Sequence, residues 1–159
     1  KPLNPLCSSC VISKICSAFN NSSVEYFPVK SYKSKIKLLY FDYIVAKHNN
    51  QLLIEQIKEG IWKNMYQFPV HVSESKKVNK EITKFFSEKY QVKNLIIKPI
   101  DSEFIQHKLS HINIRSRFWL TENKINVDEG IYVSSFKEYP MSKLMHKFIE
   151  KYTHELSIS

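Results

Sequence analysis

The sequence predicts an α+β layered domain with a mixed sheet, preceded by a short cysteine-containing tail and a linker. Three observations carry this expectation. From residue 36 onward, strand-length runs are rich in apolar, β-branched and aromatic residues. Two later stretches repeat apolar residues at helical spacing. The order along the chain is strands, helix, strands, helix, which suits a sheet layered with helices.

All three cysteines fall in residues 1–19, a segment that closes on Ala18 and Phe19. Residues 20–35 run through Asn20, Asn21, Ser22 and Ser23 to Phe27-Pro28-Val29-Lys30-Ser31-Tyr32-Lys33-Ser34-Lys35, a polar, lysine-rich composition that reads as a linker. Residues 36–46 are almost wholly apolar and predict a strand buried on both faces. His48-Asn49-Asn50-Gln51 is a turn, and 52–55 the returning strand. Gly60-Ile61-Trp62-Lys63-Asn64-Met65 is a loop leading to a short strand at 66–70. Val78, Ile82, Phe85, Phe86 and Tyr90 share one face of a helix of about four turns, with lysines and glutamates opposite. A strand is expected at 94–100. A fifth strand carries Ile112, Ile114, Phe118 and Leu120 on one face and Asn113, Arg115 and Arg117 on the other. Residues 130–134 predict a sixth, and after Pro140 a last helix turns Leu144, Met145, Phe148, Ile149 and Tyr152 to one side. The domain reading is therefore a tail at 1–19, a linker at 20–35 and one folded domain at 36–159.

The 159 residues suit one domain of ordinary size with a short extension. At 43% hydrophobic and 13% aromatic, the chain has the means to bury a core, which excludes disorder over most of its length. No run approaches the roughly 18–20 apolar residues of a membrane span, and no membrane is expected as partner. The opening Lys1-Pro2-Leu3-Asn4-Pro5 lacks a starting Met and a signal-peptide core, and reads as a cut through a longer chain. Lys and Arg number 24 against 15 Asp and Glu, a formal charge of +9, and only Arg115 and Arg117 are arginines. That sign suits DNA, RNA or acidic lipid as partner; scattered lysine also serves solubility.

Cys7-Ser8-Ser9-Cys10 and then Cys16 give the spacing C-x2-C-x5-C, with no cysteine elsewhere. A disulfide scaffold spreads an even number through its core. Clustered thiols instead suit part of a metal or iron–sulfur site short of one ligand, or three plain reduced thiols of a cytosolic protein.

Among candidate catalytic groups, Asp42 lies inside an apolar strand, where a buried carboxyl either acquires acid–base function or is held by hydrogen bonds. His107 and His111 are four apart but lack the glutamate of a zinc-hydrolase motif, and two glycines, Gly60 and Gly130, cannot build a phosphate loop. Binding is better supported. His107-Lys108-Leu109-Ser110-His111 gathers imidazole, ammonium and hydroxyl groups before a strand bearing Arg115 and Arg117, and a serine can both accept and donate at a base edge. Lys30, Lys33 and Lys35 on an extended backbone can track phosphates. An ordinary polar loop and a solvated linker remain equal readings of these residues.

In order along the chain, these segments resemble a known family. Cys7, Cys10 and Cys16 resemble the last three ligands of the C-x6-C-x2-C-x5-C [4Fe–4S] motif of the endonuclease III superfamily of DNA glycosylases. Phe27-Pro28-Val29-Lys30, Gly60-Ile61-Trp62 with Phe68-Pro69, and His107-x-Leu109-Ser110-His111 resemble the linker, the G-[LI]-W…F-P stretch and the H-x-F-S-H loop of the C-terminal domain of MutY adenine DNA glycosylases. That family removes adenine mispaired with 8-oxoguanine.

The resemblance implies a Nudix-like (MutT-like) fold used for recognition of 8-oxoguanine. It assigns the lesion and its DNA to Ser110, His111, Leu109, His107, Lys30, Lys33 and Lys35, with Leu109 standing where the family has an aromatic residue. It implies a [4Fe–4S] cluster in the parent chain, ligated by Cys7, Cys10, Cys16 and a cysteine just before Lys1, with no cofactor held by this fragment. The catalytic residues are expected in an N-terminal helical glycosylase domain of the same chain, leaving the fragment without activity of its own. Double-stranded DNA with 8-oxoguanine:adenine mispairs is the implied partner, and the protein a bacterial cytoplasmic monomer associated with the nucleoid through DNA. The competing readings are a Nudix pyrophosphohydrolase or a protein-interaction module. A Nudix hydrolase needs R-E-U-x-E-E to gather Mg²⁺, and the nearest stretch, Lys80-Glu81-Ile82-Thr83-Lys84-Phe85, replaces the Glu-Glu pair with Lys and Phe.

Overall fold

The apolar run becomes the spine of the sheet. In the computed structural model, which describes residues 4–29 and 35–156, this spine is β1 (Lys37–His48). It runs parallel to β7 (Ile112–Thr121) from Lys37 opposite Ile112 to Ala46 opposite Thr121. On its other side β1 pairs antiparallel with two strands in turn, through Tyr40–Tyr43 with β4 (Val70–Ser73) and through Lys47 and His48 with β2 (Gln51–Gln56). Asn49 and Asn50 both have positive φ, 48° and 58°, as the tight turn of a twisted hairpin demands. β3 (Tyr66–Gln67) and β8 (Gly130–Val133) flank β2; β5 (Lys98–Pro99) and β6 (Ile105–Lys108) pair with β7. The sheet is thus mixed, as expected.

Alternation along β1 divides its side chains between two cores. Phe41, Tyr43 and Val45 join Phe118, Met141, Leu144, Met145 and Phe148 beneath α3 (Lys143–Leu156), where the Phe118 and Phe148 rings stack at 3.7 Å. Ile44 and Ala46 face the other way, with Trp119 against Ile82 and Phe86 of α2 (Asn79–Lys89) and with Leu95 and Ile97. Both helices have satisfied starts. The Glu81 carboxylate accepts the Val78 N–H at 2.9 Å, and Ser142 Oγ accepts the Met145 N–H at 3.3 Å.

Three elements differ from expectation. The strand at 94–100 shrinks to Lys98–Pro99, because Asn94 turns the chain with φ 55° and Pro99 has no N–H to extend a ladder. The strand at 66–70 is divided into β3 and β4, and Phe68 between them is fully buried. β6 was not anticipated, since Ile105-Gln106-His107-Lys108 has one apolar residue and owes its extension to pairing with β7.

The chain divides into two compact units, Lys1–Lys35 and Ile36–Ser159. The first contains single 3-10 turns at Cys7–Ser9, Ser13–Ile15 and Val24–Tyr26, with the short helix α1 (Ser17–Asn20). None of its described residues is fully buried.

Candidate nucleic-acid interface

β6 and β7 are joined by the turn at 109–111. The Leu109 N–H donates to the Ile112 carbonyl at 2.8 Å, and the Lys37 N–H donates to the His111 carbonyl at 3.0 Å, so the turn is pinned to both neighbouring strands. His107 pairs opposite the core residue Ile114, which directs positions 107 and 109 to the α3 side of the sheet and Lys108 to the other. Leu109, expected at the DNA face, accordingly packs half-buried against the core. What the turn presents to solvent is Ser110 and His111, both exposed.

Ser110 Oγ lies 2.9 Å from His111 Nδ1. With the imidazole neutral and its proton on Nε2, Nδ1 is an acceptor and the hydroxyl hydrogen is committed to it. The remaining Oγ lone pairs then face outward. In that tautomer the hydroxyl accepts an N–H more readily than it donates, so the His111 tautomer sets the polarity of the exposed serine.

His107 lies half-buried behind this pair, its ring edge-on to Trp62 at 5.5 Å between centroids. Burial holds the imidazole below its ordinary range, and the ammonium groups of Lys147 and Lys143 push in the same direction. Trp62 is held by a loop closed on itself. Asn64 N–H donates to the Ile57 carbonyl and Ile57 N–H to the Met65 carbonyl, both at 2.8 Å. Its φ of 66° is an uncommon conformation for so bulky a residue, and it keeps the indole against Phe41 and His107.

Arg115 is exposed on the face opposite α3. Arg117, grouped with it in the sequence, is instead an internal residue. Its Nε donates to Asp42 Oδ1 at 2.7 Å and a terminal nitrogen donates to the Lys77 carbonyl at 2.7 Å. Trp119 Nε1 also donates to Asp42 Oδ1, at 3.0 Å. Asp42 is therefore a buried, paired carboxylate that positions strands. This pairing joins residues 75 apart and follows only from the register that sets 42 opposite 117. Lys35 is exposed; Lys30 and Lys33 lie outside the described residues.

Among the described residues, neither the Mg²⁺ ligands of a Nudix hydrolase nor the three cysteines gather into a metal-holding group. On α2, Glu81 caps the helix start, Lys84 pairs with Glu88 at 3.8 Å, and Phe85 stacks on His71 at 4.1 Å. These residues do not fit the carboxylate cluster that gathers Mg²⁺ around a diphosphate. In the first unit, Cys7, Cys10 and Cys16 are free thiols on successive turns, with Cys10 N–H donating to the Cys7 carbonyl and Cys16 N–H to the Ser13 carbonyl. Among the described residues, no three of His, Cys, Asp and Glu gather into a metal-holding group. No helix among them is long and apolar enough to cross a membrane.

A mixed sheet between two helices, with an α2 whose Glu81 and Glu88 are not joined by further carboxylates, has the architecture of a Nudix-fold domain without the hydrolase's metal-binding glutamate pair. The NUDIX domain family model matches residues 43–151, and the chain belongs to that family. Within it the chain is MutY-like. Over 130 residues it is 28% identical to the adenine DNA glycosylase of Buchnera aphidicola subsp. Baizongia pistaciae, covering 78% of this chain and 34% of that protein. The chain thus spans about a third of the length of that relative. Among solved structures, the C-terminal domain of mouse MUTYH, in a complex with human PCNA, superposes with a TM-score of 0.55 at 10% identity, over 76% of this chain and 91% of that one. The MutT protein of Methanosarcina mazei Go1 superposes with a TM-score of 0.56 at 11% identity, over 79% of this chain and 98% of that one. Both likenesses are likenesses of fold.

Proposed function

We propose that this chain is the lesion-reading part of a MutY-like adenine DNA glycosylase, recognising 8-oxoguanine opposite the target adenine in duplex DNA. The observation that carries the reading is the Ser110–His111 hydrogen bond on an exposed turn. Oxidation at C8 converts guanine N7 from an acceptor into an N–H donor. Ser110 Oγ, its own hydrogen held by His111, accepts from that N–H and meets only lone-pair repulsion at the N7 of guanine. Lys35, with Lys30 and Lys33, supplies phosphate contacts, and His107 backs the turn. Excision of adenine belongs to a catalytic domain with its own base-flipping pocket. In the whole glycosylase Cys7, Cys10 and Cys16 would supply three thiolates to a [4Fe–4S] cluster.

The test compares binding of the full chain to two duplexes that differ only in 8-oxoguanine or guanine opposite adenine. Wild type should prefer the lesion by about ten- to a hundredfold, the range of one well-placed base contact. Ser110→Ala should remove most of that preference while leaving affinity for the guanine duplex unchanged. Equal wild-type affinity for the two duplexes would overturn the reading.

A further inference from the structure

Beside the recognition turn the sheet has one filled face and one open face. On the α3 side, Leu109, Ile112 and Ile114 pack into the core. On the other side α2 packs farther along the same strands, with Ile82 and Phe86 against Ile44, Ala46 and Trp119. Strand register fixes what the uncovered stretch presents, because residues directly opposite share a side of the sheet. Lys108, Asn113 and Leu38 stand in the row next to the turn, and Gln106, Arg115 and Tyr40 in the row behind it. Lys108, Leu38, Gln106 and Arg115 are exposed, Asn113 and Tyr40 half-buried. Ammonium, guanidinium, amide and phenol donors thus share one rigid surface, with no carboxylate in either row. On α2, by contrast, Lys77 and Lys84 are matched by Glu81 and Glu88. At the rim of the open face Phe104 stands edge-on to Tyr40, 5.8 Å between centroids, and holds the Lys76 ammonium 5.5 Å from its ring centre. Of the chain's two arginines, Arg117 is taken up by Asp42 and the Lys77 carbonyl, which leaves Arg115 as the guanidinium free to meet a ligand.

We infer that this open sheet face, with Arg115 at its centre and Lys108 beside the turn, seats the phosphodiester backbone of the duplex whose lesion Ser110 reads. The inference rests on the proposed recognition of DNA and assigns the side of the sheet along which the duplex leaves the turn. The two rows lie about 6.6 Å apart along the strands, and β6, β7 and β1 together span about 10 Å across them. A duplex strand advances about 3.4 Å per phosphate, so a surface of this size faces about two or three of them. Arg115 can hold two oxygens of one phosphate with its planar fork, and Lys108 adds a point charge where the strand enters the turn. Such contacts fix the register of the duplex and carry no base information, which stays with Ser110.

The experiment measures affinity of the full chain for the 8-oxoguanine and guanine duplexes across a salt series. Wild type is compared with Lys108→Gln/Arg115→Gln, Arg115→Lys, Ser110→Ala and Lys93→Gln, the last removing an exposed charge beyond the end of α2. The double variant should lower affinity for both duplexes by the same factor and make the log–log salt dependence shallower by about two. Arg115→Lys should keep the wild-type slope yet lose affinity for both duplexes, since an ammonium keeps the charge without the fork. Lys93→Gln should match wild type, and Ser110→Ala should collapse the ratio between duplexes at the wild-type slope. An unchanged slope in the double variant overturns the seat, and so does a Lys93→Gln slope reduced as much per charge removed. In either case a ratio lost in Ser110→Ala would still sustain the recognition reading. Conversely, a shallower slope confined to the double variant, in a chain that never distinguished the lesion, supports the seat and overturns the recognition reading. Wild type that binds neither duplex overturns both.

Discussion

At His107 a proton is disfavoured from several directions. The ring is half-buried and edge-on to Trp62, burial is the main cause of its lowered pKa, and Lys147 and Lys143 of α3 add to it. The folded state therefore binds this proton more weakly than the unfolded chain does. The resulting stability is present above the ordinary histidine value of about 6.5 and is lost as pH falls through the lowered folded value. His71 has the same sign: burial leads, Lys77 and Lys89 reinforce it, and Asp42 and Glu81 oppose it. The thermal midpoint of the full chain should decline as pH falls below the ordinary histidine value of about 6.5, and His107→Gln should flatten part of that decline. In the free chain, Lys143→Gln/Lys147→Gln should move the His107 titration midpoint upward, as read from its ring proton resonances. A His107 midpoint indifferent to both lysines would show that they do not face it in solution.

Between elements, the decisive contact is the ion pair that ties β1 to β7. The Asp42 and Arg117 side chains are 1% and 11% exposed, and Arg117 also bonds the Lys77 carbonyl on the approach to α2. Removing one partner strands the other in a low-dielectric site. Arg117→Ala should therefore lower unfolding free energy by about 3–5 kcal/mol. Asp42→Val with Arg117→Leu should cost much less than the sum of the two single changes, because no charge is left unpaired. Urea unfolding of the four proteins of this cycle checks it, and additive losses would mean that the pair is not coupled. This contact also marks where sequence reading stops. β1, β7, α2 and α3 were legible because apolar periodicity is a local property, and Ile82 and Phe86 or Leu144 and Phe148 carry it in themselves. β6 was not legible, because its strand character comes from a partner. Arg117 was grouped with Arg115 beside the binding loop, since alternation tells which face a residue takes but not what covers that face. The exposure of Ser110 and His111 was legible from their residue types; the inward packing of Leu109 needed the register of His107 opposite Ile114.

On the scale of the whole molecule, both hydrophobic cores are built within the unit Ile36–Ser159, whereas no described residue of the first unit is fully buried. Cooperative stability follows buried apolar area, so it should reside almost entirely in the second unit. A chain beginning at Ile36 should unfold in one transition with the midpoint of the full chain. It should keep the full preference for 8-oxoguanine over guanine, because Ser110, His111 and every strand that pins them remain. Its salt dependence, however, should become shallower by up to about three, one for each of Lys30, Lys33 and Lys35 that contacts a phosphate. Base reading and phosphate holding would then separate physically, the first kept by the turn on the sheet and the second shared with lysines that precede the domain in sequence. Loss of the preference with the fold intact would show that the turn requires residues before Ile36 to read the lesion. An unchanged slope with the preference retained would remove the linker lysines from the interface and leave the phosphate contacts to the domain itself.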